Sequence, residues 1–315
     1  MGRTWNEDGV ETMDMSLPRA VVPGRTYMIT RRCSERRFFL RPTPEGNNAF
    51  IYCLAVAAQK YRIQVIFTAT MSNHHHTGIV DVEGRLPEFL AHFHKLVAKH
   101  QNVLHGRWES MWASTQTSAV ELITPDDIFA KMVYAFANPV ADHIVDKAHH
   151  WPGVSSLRAT LANKPLTATR PKKFFRADGD MPEHVSLPLH LPDGMADGGR
   201  QMFCTRLEDH IAQAEQTAAA ARATSGRRIV GRAAVLRQHW NAHPTTRERR
   251  RQLSPRIACR DIWRRIEALA RNKAWLAAYH RARELLIAGK AAVFPAGTYW
   301  LCQSLRVTCE PVSSS

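Results

Sequence analysis

The run "MSNHHHT" at residues 71–77 sets three imidazoles in succession after an apolar segment, "IQVIFTA". In an extended backbone, successive side chains point to opposite faces, so His74 and His76 share one face and His75 points to the other. Two neutral imidazoles one strand repeat apart can ligate the same metal ion. Further along, "KMVYAFANPV" (131–140) offers a hydroxyl nucleophile. On a helix, Tyr134 and Asn138 are neighbours at i, i+4, and Lys131 lies three residues before Tyr134 on the same side. A phenol titrates near 10. To attack a phosphodiester it needs help losing its proton, and the phosphate needs its charge offset. A divalent ion on His74 and His76 would polarise the phosphate, with Asn138 as a neutral oxygen ligand. Taken singly, each element has a plainer reading: a helical tyrosine usually packs in a core, and a histidine run usually marks a polar strand edge.

These groups need a frame that holds them. "RTYMITRR" (25–32) has strand composition, and "EGNNAFIYCLAVAAQKYR" (45–62) has helical spacing at Phe50, Cys53, Leu54 and Ala57. "IQVIFTATM" and "NHHHTGIVD" read as strands joined at the turn-prone Ser72 and Asn73. Residues 85–106 form an amphipathic helix, and "AVELIT" (119–124) is a strand. The next helix carries stacked start signals: Thr124 to cap, Pro125 at the first position, and Asp126 and Asp127 toward the positive end of the dipole. Pro139 is expected to kink or end it. The order β-α-β-β-α-β followed by a helix predicts an α+β, ferredoxin-like sheet with an added catalytic helix.

At 315 residues, with 44% hydrophobic and 23% charged content, the chain suits a soluble globular protein. No run of about 18 apolar residues predicts a membrane span. The N-terminus lacks an apolar signal core, so a cytoplasmic, nucleoid-associated location is expected. Six scattered cysteines without short spacings read as free thiols. The net charge of +15 is concentrated: residues 222–290 hold 18 Lys/Arg against 4 Asp/Glu, whereas residues 1–160 hold 17 against 15. So local an excess points to a polyanionic partner. Expected boundaries are a flexible leader at 1–17, a catalytic domain at 18–160, a proline-rich linker at 161–200 and a basic, mainly helical accessory region at 201–315. Within the last, Cys259, Ile262, Ile266 and Leu269 would line one packed helical face, with Arg260, Arg264 and Arg271 opposite.

The chain resembles the single-tyrosine transposases of the HUH endonuclease class, most closely the REP-associated tyrosine transposases. The resemblance rests on "MSNHHH" (71–76), where the family has Met-Pro-Asn-His-x-His, and on "YAFANPV" (134–140), where it has Tyr-x-x-x-Asn-Pro-Val. "HWPGVSS" (150–156) and the arginine-bearing "YMITRRCSERRFFLR" extend it over about residues 18–156. It implies that Tyr134 attacks a DNA phosphate, becomes linked to the 5′ side and releases a 3′-hydroxyl. It further implies that His74, His76 and Asn138 hold Mg²⁺ or Mn²⁺. His75 stands where the family usually has an apolar residue, so it sits at a more exposed strand edge or serves as a spare ligand. Lys131 is an accessory candidate.

The implied partner is single-stranded or hairpin DNA, with no nucleotide cofactor, since no phosphate-cradling glycine motif is present. Recognition would combine a basic groove with base stacking. Arg31, Arg32, Arg36, Arg37 and Arg41 are the candidate phosphate contacts, joined by Arg107 and Trp108, while Phe38 and Phe39 suit the core. The assembly is expected as a monomer or as a homodimer with exchanged tyrosine helices. The competing expectation is a non-catalytic DNA-binding protein derived from such an enzyme.

Overall fold

The structure, a computed structural model, describes residues 3–5, 11–13, 18–192, 194–195, 198–246 and 255–311. Most of the expected leader lies outside the described residues, as does the arginine-rich run at 247–251. Four strands form the centre: β1 (Arg25–Arg32), β2 (Ile63–Thr70), β3 (His74–Asp81) and β4 (Ser118–Leu122). Helices α1 (Pro44–Lys60) and α2 (Leu86–Leu104) lie between them in sequence, and α3 (Pro125–Ala141) follows. After a short α4 (Leu157–Ala162), strands β5 (Leu166–Thr169) and β6 (His184–Leu187) pair antiparallel. Then come α5 (Arg200–Ser225), α6 (Arg232–Arg237), the two-residue β7 (Ile257–Ala258) and α7 (Ile262–Ile287). The described chain closes with β8 (Val293–Phe294), α8 (Trp300–Leu305) and β9 (Thr308–Cys309).

The main sheet has the order β2-β3-β1-β4-β7. Its first four strands are antiparallel and β7 joins β4 in parallel, giving a mixed sheet in an α+β protein. The proline-rich stretch expected as irregular holds the β5–β6 hairpin. Its Ala168, Val185 and Leu187 join the core on the α1 side.

Strand alternation divides the sheet into two faces. Tyr27, Ile29 and Ile79 point to a core made with α1 and α2, through Phe50, Phe89 and Phe93. Met28 points the other way, toward Phe129, Met132 and Phe136 of α3. A bulge in β2 shifts the pairing between Val65 and Phe67. The extra residue lets Val65 face the α1–α2 core while Phe67 faces α3. Phe67 lies across Gly78, where a Cβ would come within 2.2 Å of its ring, and meets Phe136 edge-on at 6.1 Å. Glycine at 78 therefore makes room for the ring that seats α3 on the sheet.

Helix α3 begins with a complete capping box: the Thr124 hydroxyl accepts from Asp127 N, and the Asp127 carboxylate accepts from Thr124 N. It ends at Ala141, two residues after Pro139, which lacks the N–H for the last turn. Its outer side is covered by α5, whose Phe203, Leu207 and Ile211 recur every four residues and are buried. Arg206 pairs with Asp126 at 2.8 Å and lies over the Phe129 ring. Glu215 accepts from Ala148 N and Lys147, fixing the chain beyond α3. Helix α3 is thus held between sheet and α5.

The apolar stripe on α7 departs from expectation. Cys259 is buried, but Ile262, Ile266 and Leu269 are 58%, 52% and 50% exposed. The arginine side makes the inward contact instead, with Arg271 on Glu121 at 2.6 Å.

His75 also departs from expectation. It is fully buried, not at an exposed edge, and is ringed by Phe50, Phe93, His94 and Trp112. Its Nε2 lies 3.0 Å from His94 Nε2, so one ring donates and the other accepts. Burial, reinforced by His74 and Arg31, lowers the His75 pKa to about 3, and burial drives His94 well below the ordinary range. Both stay neutral in the folded chain, while in the unfolded chain each protonates near 6.5. The unfolded state therefore gains protons first as pH falls, and stability drops from about pH 6.5 downward toward 3. The expected loss is on the order of 2 kcal/mol per histidine between pH 7 and 5. Urea denaturation at the two pH values checks it.

Candidate active site

The α3 face of the sheet carries the site. His74 pairs across from Arg32 and His76 from Thr30, so all four share this face. The His74 and His76 rings lie edge to face, 4.8 Å between centroids. Helix α3 brings Tyr134 of the same chain to 5.4 Å from the His76 ring, and Lys131 Nζ to 5.6 Å from the Tyr134 ring.

Both imidazoles are oriented by their Nδ1 atoms. His74 Nδ1 lies 2.7 Å from Asn73 Oδ1. The Asn73 amide nitrogen donates to Arg36 O at 3.3 Å, which fixes its oxygen toward the histidine. A carbonyl oxygen only accepts, so His74 carries its proton on Nδ1 and presents the Nε2 lone pair. His76 Nδ1 meets Thr30 Oγ1 at 2.8 Å, and its Nε2 is buried without a partner. Burial lowers His74 to about 4, with Arg32 adding to the effect, and drives His76 well below the ordinary range, with His74, His75 and Lys131 adding to the effect. Both rings are neutral at pH 7, the form that binds a metal.

Asn138 is buried beside them, and its Oδ1 also lacks a partner. His76 Nε2, an acceptor when its Nδ1 donates to Thr30 Oγ1, and Asn138 Oδ1 are both without a partner and suit a cation as ligands. Among the described residues, no cluster of three or more His, Cys, Asp or Glu could hold a metal. An ion here would rest on two imidazoles, the Asn138 amide oxygen, and oxygens from water or substrate.

Tyr134 is half exposed. Partial burial raises its pKa above 10 and the Asp142 carboxylate adds to this, while a hydrogen bond from Asn138 opposes it. Asp142 caps the C-terminus of α3, and Arg227 and Arg36 act on it. The backbone of Val230 and Gly231 bonds to His143 and Ile144, holding the 227–231 segment beside the site.

The arginine candidates divide. Arg32 faces the site. Arg31 points with His75 to the opposite face, where it bonds Thr117 and lies over Trp112. Arg36, Arg37 and Arg41 reach residues 236–246 and bond their carbonyls. Arg107 covers the Phe39 ring at 3.9 Å, and Trp108 is 88% exposed. His75 is too deeply placed on the wrong face to be a spare ligand. Thr30, Asn73 and Asp142 are site residues that spacing alone did not single out. Asn73 carried a signal as the asparagine of "MSNHHH", and Asp142 another at i+8 from Tyr134.

If Asn73 sets the His74 tautomer, Asn73→Ala weakens metal affinity about 10- to 100-fold with the fold intact. Titration of Mn²⁺ by calorimetry on both proteins checks this.

Neither a family model nor a curated protein matches the chain. Among solved structures it has a distant likeness to one described as "Structure of the REP associates tyrosine transposase bound to a REP hairpin". The two are 15% identical, with a TM-score of 0.40 over 56% of this chain and 98% of the other. Among the described residues, no helix is long and apolar enough to cross a membrane.

Proposed function

We propose that the protein is a metal-dependent, single-tyrosine DNA strand transferase that cuts and rejoins single-stranded or hairpin DNA. The observation that carries this reading is the convergence of two oriented, neutral imidazoles, an unpartnered amide oxygen and an accessible tyrosine on one face. The β2-β3-β1-β4 strand order supports reading residues 18–160 as a ferredoxin-like catalytic domain with α3 laid on its open face. Because histidines and tyrosine meet within one chain, a monomer carrying a complete site is the assembly we favour.

Bound at His74, His76 and Asn138, Mg²⁺ or Mn²⁺ would supply charge neutralisation for the phosphate and make the phenol more acidic. The chain's own groups do the rest. Tyr134 is almost wholly protonated at pH 7, roughly one phenolate or fewer per thousand molecules, because its pKa lies above 10. Lys131 and the Asn138 amide favour the anion as it forms. The Tyr134 oxygen attacks phosphorus, the bond to the 3′-oxygen breaks, and that oxygen takes up a proton. The phosphotyrosine keeps the bond energy, so a second 3′-hydroxyl can reverse the step without a nucleoside triphosphate. Arg32 and Arg36 supply positive charge at the rim. Residues 201–315 serve as a basic accessory region.

The test incubates full-length protein with labelled hairpin and unstructured oligonucleotides and Mn²⁺, followed by a denaturing gel. A protein–DNA adduct that EDTA prevents supports the reading. Tight binding with no adduct under any divalent ion would instead identify a non-catalytic DNA-binding protein.

A further inference from the structure

Residues 236–246 run as a strap against the segment Arg36–Arg41. Phe38 N donates to Ala242 O at 2.9 Å, Arg37 Nη1 to Asn241 O at 2.9 Å, and Arg41 Nη1 to Gln238 O at 2.9 Å. On its other side the same segment meets the β2–β3 turn, through Leu40 N to Ser72 O at 2.8 Å and Asn73 Nδ2 to Arg36 O at 3.3 Å. The strap therefore lies one segment away from His74.

The strap carries a stack of rings. Trp240 lies on His105 with centroids 5.1 Å apart and planes at 20°. His239 continues the row at 5.0 Å and 33°. The Arg107 guanidinium sits 5.7 Å from the Trp240 ring and 3.9 Å from Phe39. Clamping the strap would need only Trp240 and His105. It would not need the row to continue to the solvent-exposed His239 ring; Trp108, next to Arg107 in sequence, is 88% exposed. Nor would it need the outer ring to be oriented: Asn241 N donates to His239 Nδ1 at 3.2 Å, leaving the proton on Nε2. An oriented aromatic row with cations at its edge is the chemistry that holds unpaired bases, because every base has a π-face.

We propose that the His105–Trp240–His239 row, with Arg107 and Trp108 at its edge, is a stacking platform for unpaired nucleobases of the strand whose phosphate sits at Tyr134. The proposal rests on the DNA-transferase reading and adds the substrate feature recognised: exposed bases next to the cut, independent of their sequence. A paired stem offers no free base face to this row.

Fluorescence anisotropy of the full chain, in EDTA at one fixed salt concentration, tests it. The probes are an oligo-dT strand, a strand of equal length with abasic sites at its centre, and a blunt duplex. His239→Ala and Trp108→Ala alter exposed side chains, and circular dichroism checks that both variants stay folded. Each variant is expected to bind oligo-dT roughly tenfold more weakly and the duplex unchanged. The wild type should bind the abasic strand more weakly than oligo-dT, and the variants should lose little further affinity for it. Unchanged oligo-dT affinity in both variants would overturn the platform, as would equal weakening for strand and duplex, which marks a merely electrostatic surface. If the wild type binds none of the probes, the DNA reading falls and the platform with it. If it binds them but the variants match it, only the platform falls.

Discussion

Tyr134→Phe is expected to abolish the covalent protein–DNA adduct, a loss of at least about 10³-fold in cleavage, while hairpin affinity stays within about twofold. The substitution deletes one oxygen. The ring keeps its edge contact with His76 and its place over Lys131, and it is half exposed, so packing changes little. Asn138 loses its bond to the phenol oxygen, and its amide remains buried where it was. None of the three other tyrosines within residues 18–160 can substitute. Tyr27 is buried on the α1–α2 side, Tyr52 is buried there with its hydroxyl on Pro182 O at 2.6 Å, and Tyr61 packs against His92. A denaturing gel with radiolabelled hairpin checks the adduct, and anisotropy checks the affinity.

The second large effect separates three neighbouring histidines. His74→Ala and His76→Ala are each expected to reduce metal-dependent cleavage by about 10³-fold or more, with hairpin binding in EDTA nearly unchanged. His75→Ala should leave the cleavage rate of the folded enzyme within a few-fold and instead cost stability. It removes a fully buried ring from among Phe50, Phe93 and Trp112 and leaves His94 Nε2 unpartnered, together on the order of 2–4 kcal/mol. Single-turnover cleavage and urea denaturation on all three variants make the comparison. Equal loss of cleavage in the three would mean that face alternation along β3 does not govern the site.

Much of this was legible in local periodicities. The period of two separated His75 from His74 and His76, and the i, i+4 rule joined Tyr134 to Asn138. Thr124, Pro125 and the two aspartates marked the start of α3. What stayed hidden depends on contacts distant in sequence. Thr30 becomes a partner of His76 only through the β1–β3 register, a pairing across 46 residues that composition does not encode. Arg36, Arg37 and Arg41 looked like free cations because their carbonyl partners lie about 200 residues away. His75 looked like an edge residue because a histidine is polar, and its buried partners His94 and Thr77 make its position tolerable. The α7 stripe has helical spacing in both sequence and structure, yet spacing cannot say which face meets the protein. There the Arg271–Glu121 pair fixed the arginine side inward.

The atom to which DNA becomes attached distinguishes a tyrosine transferase from any other chemistry. Wild-type protein should be trapped on a hairpin oligonucleotide with Mn²⁺, digested with nuclease and protease, and the nucleotide-bearing peptide sequenced by mass spectrometry. The expected result is a single 5′-phosphonucleotide on the Tyr134 oxygen, absent when EDTA is added before the DNA. A nucleotide on any other residue, or attachment through a 3′-phosphate, would contradict it.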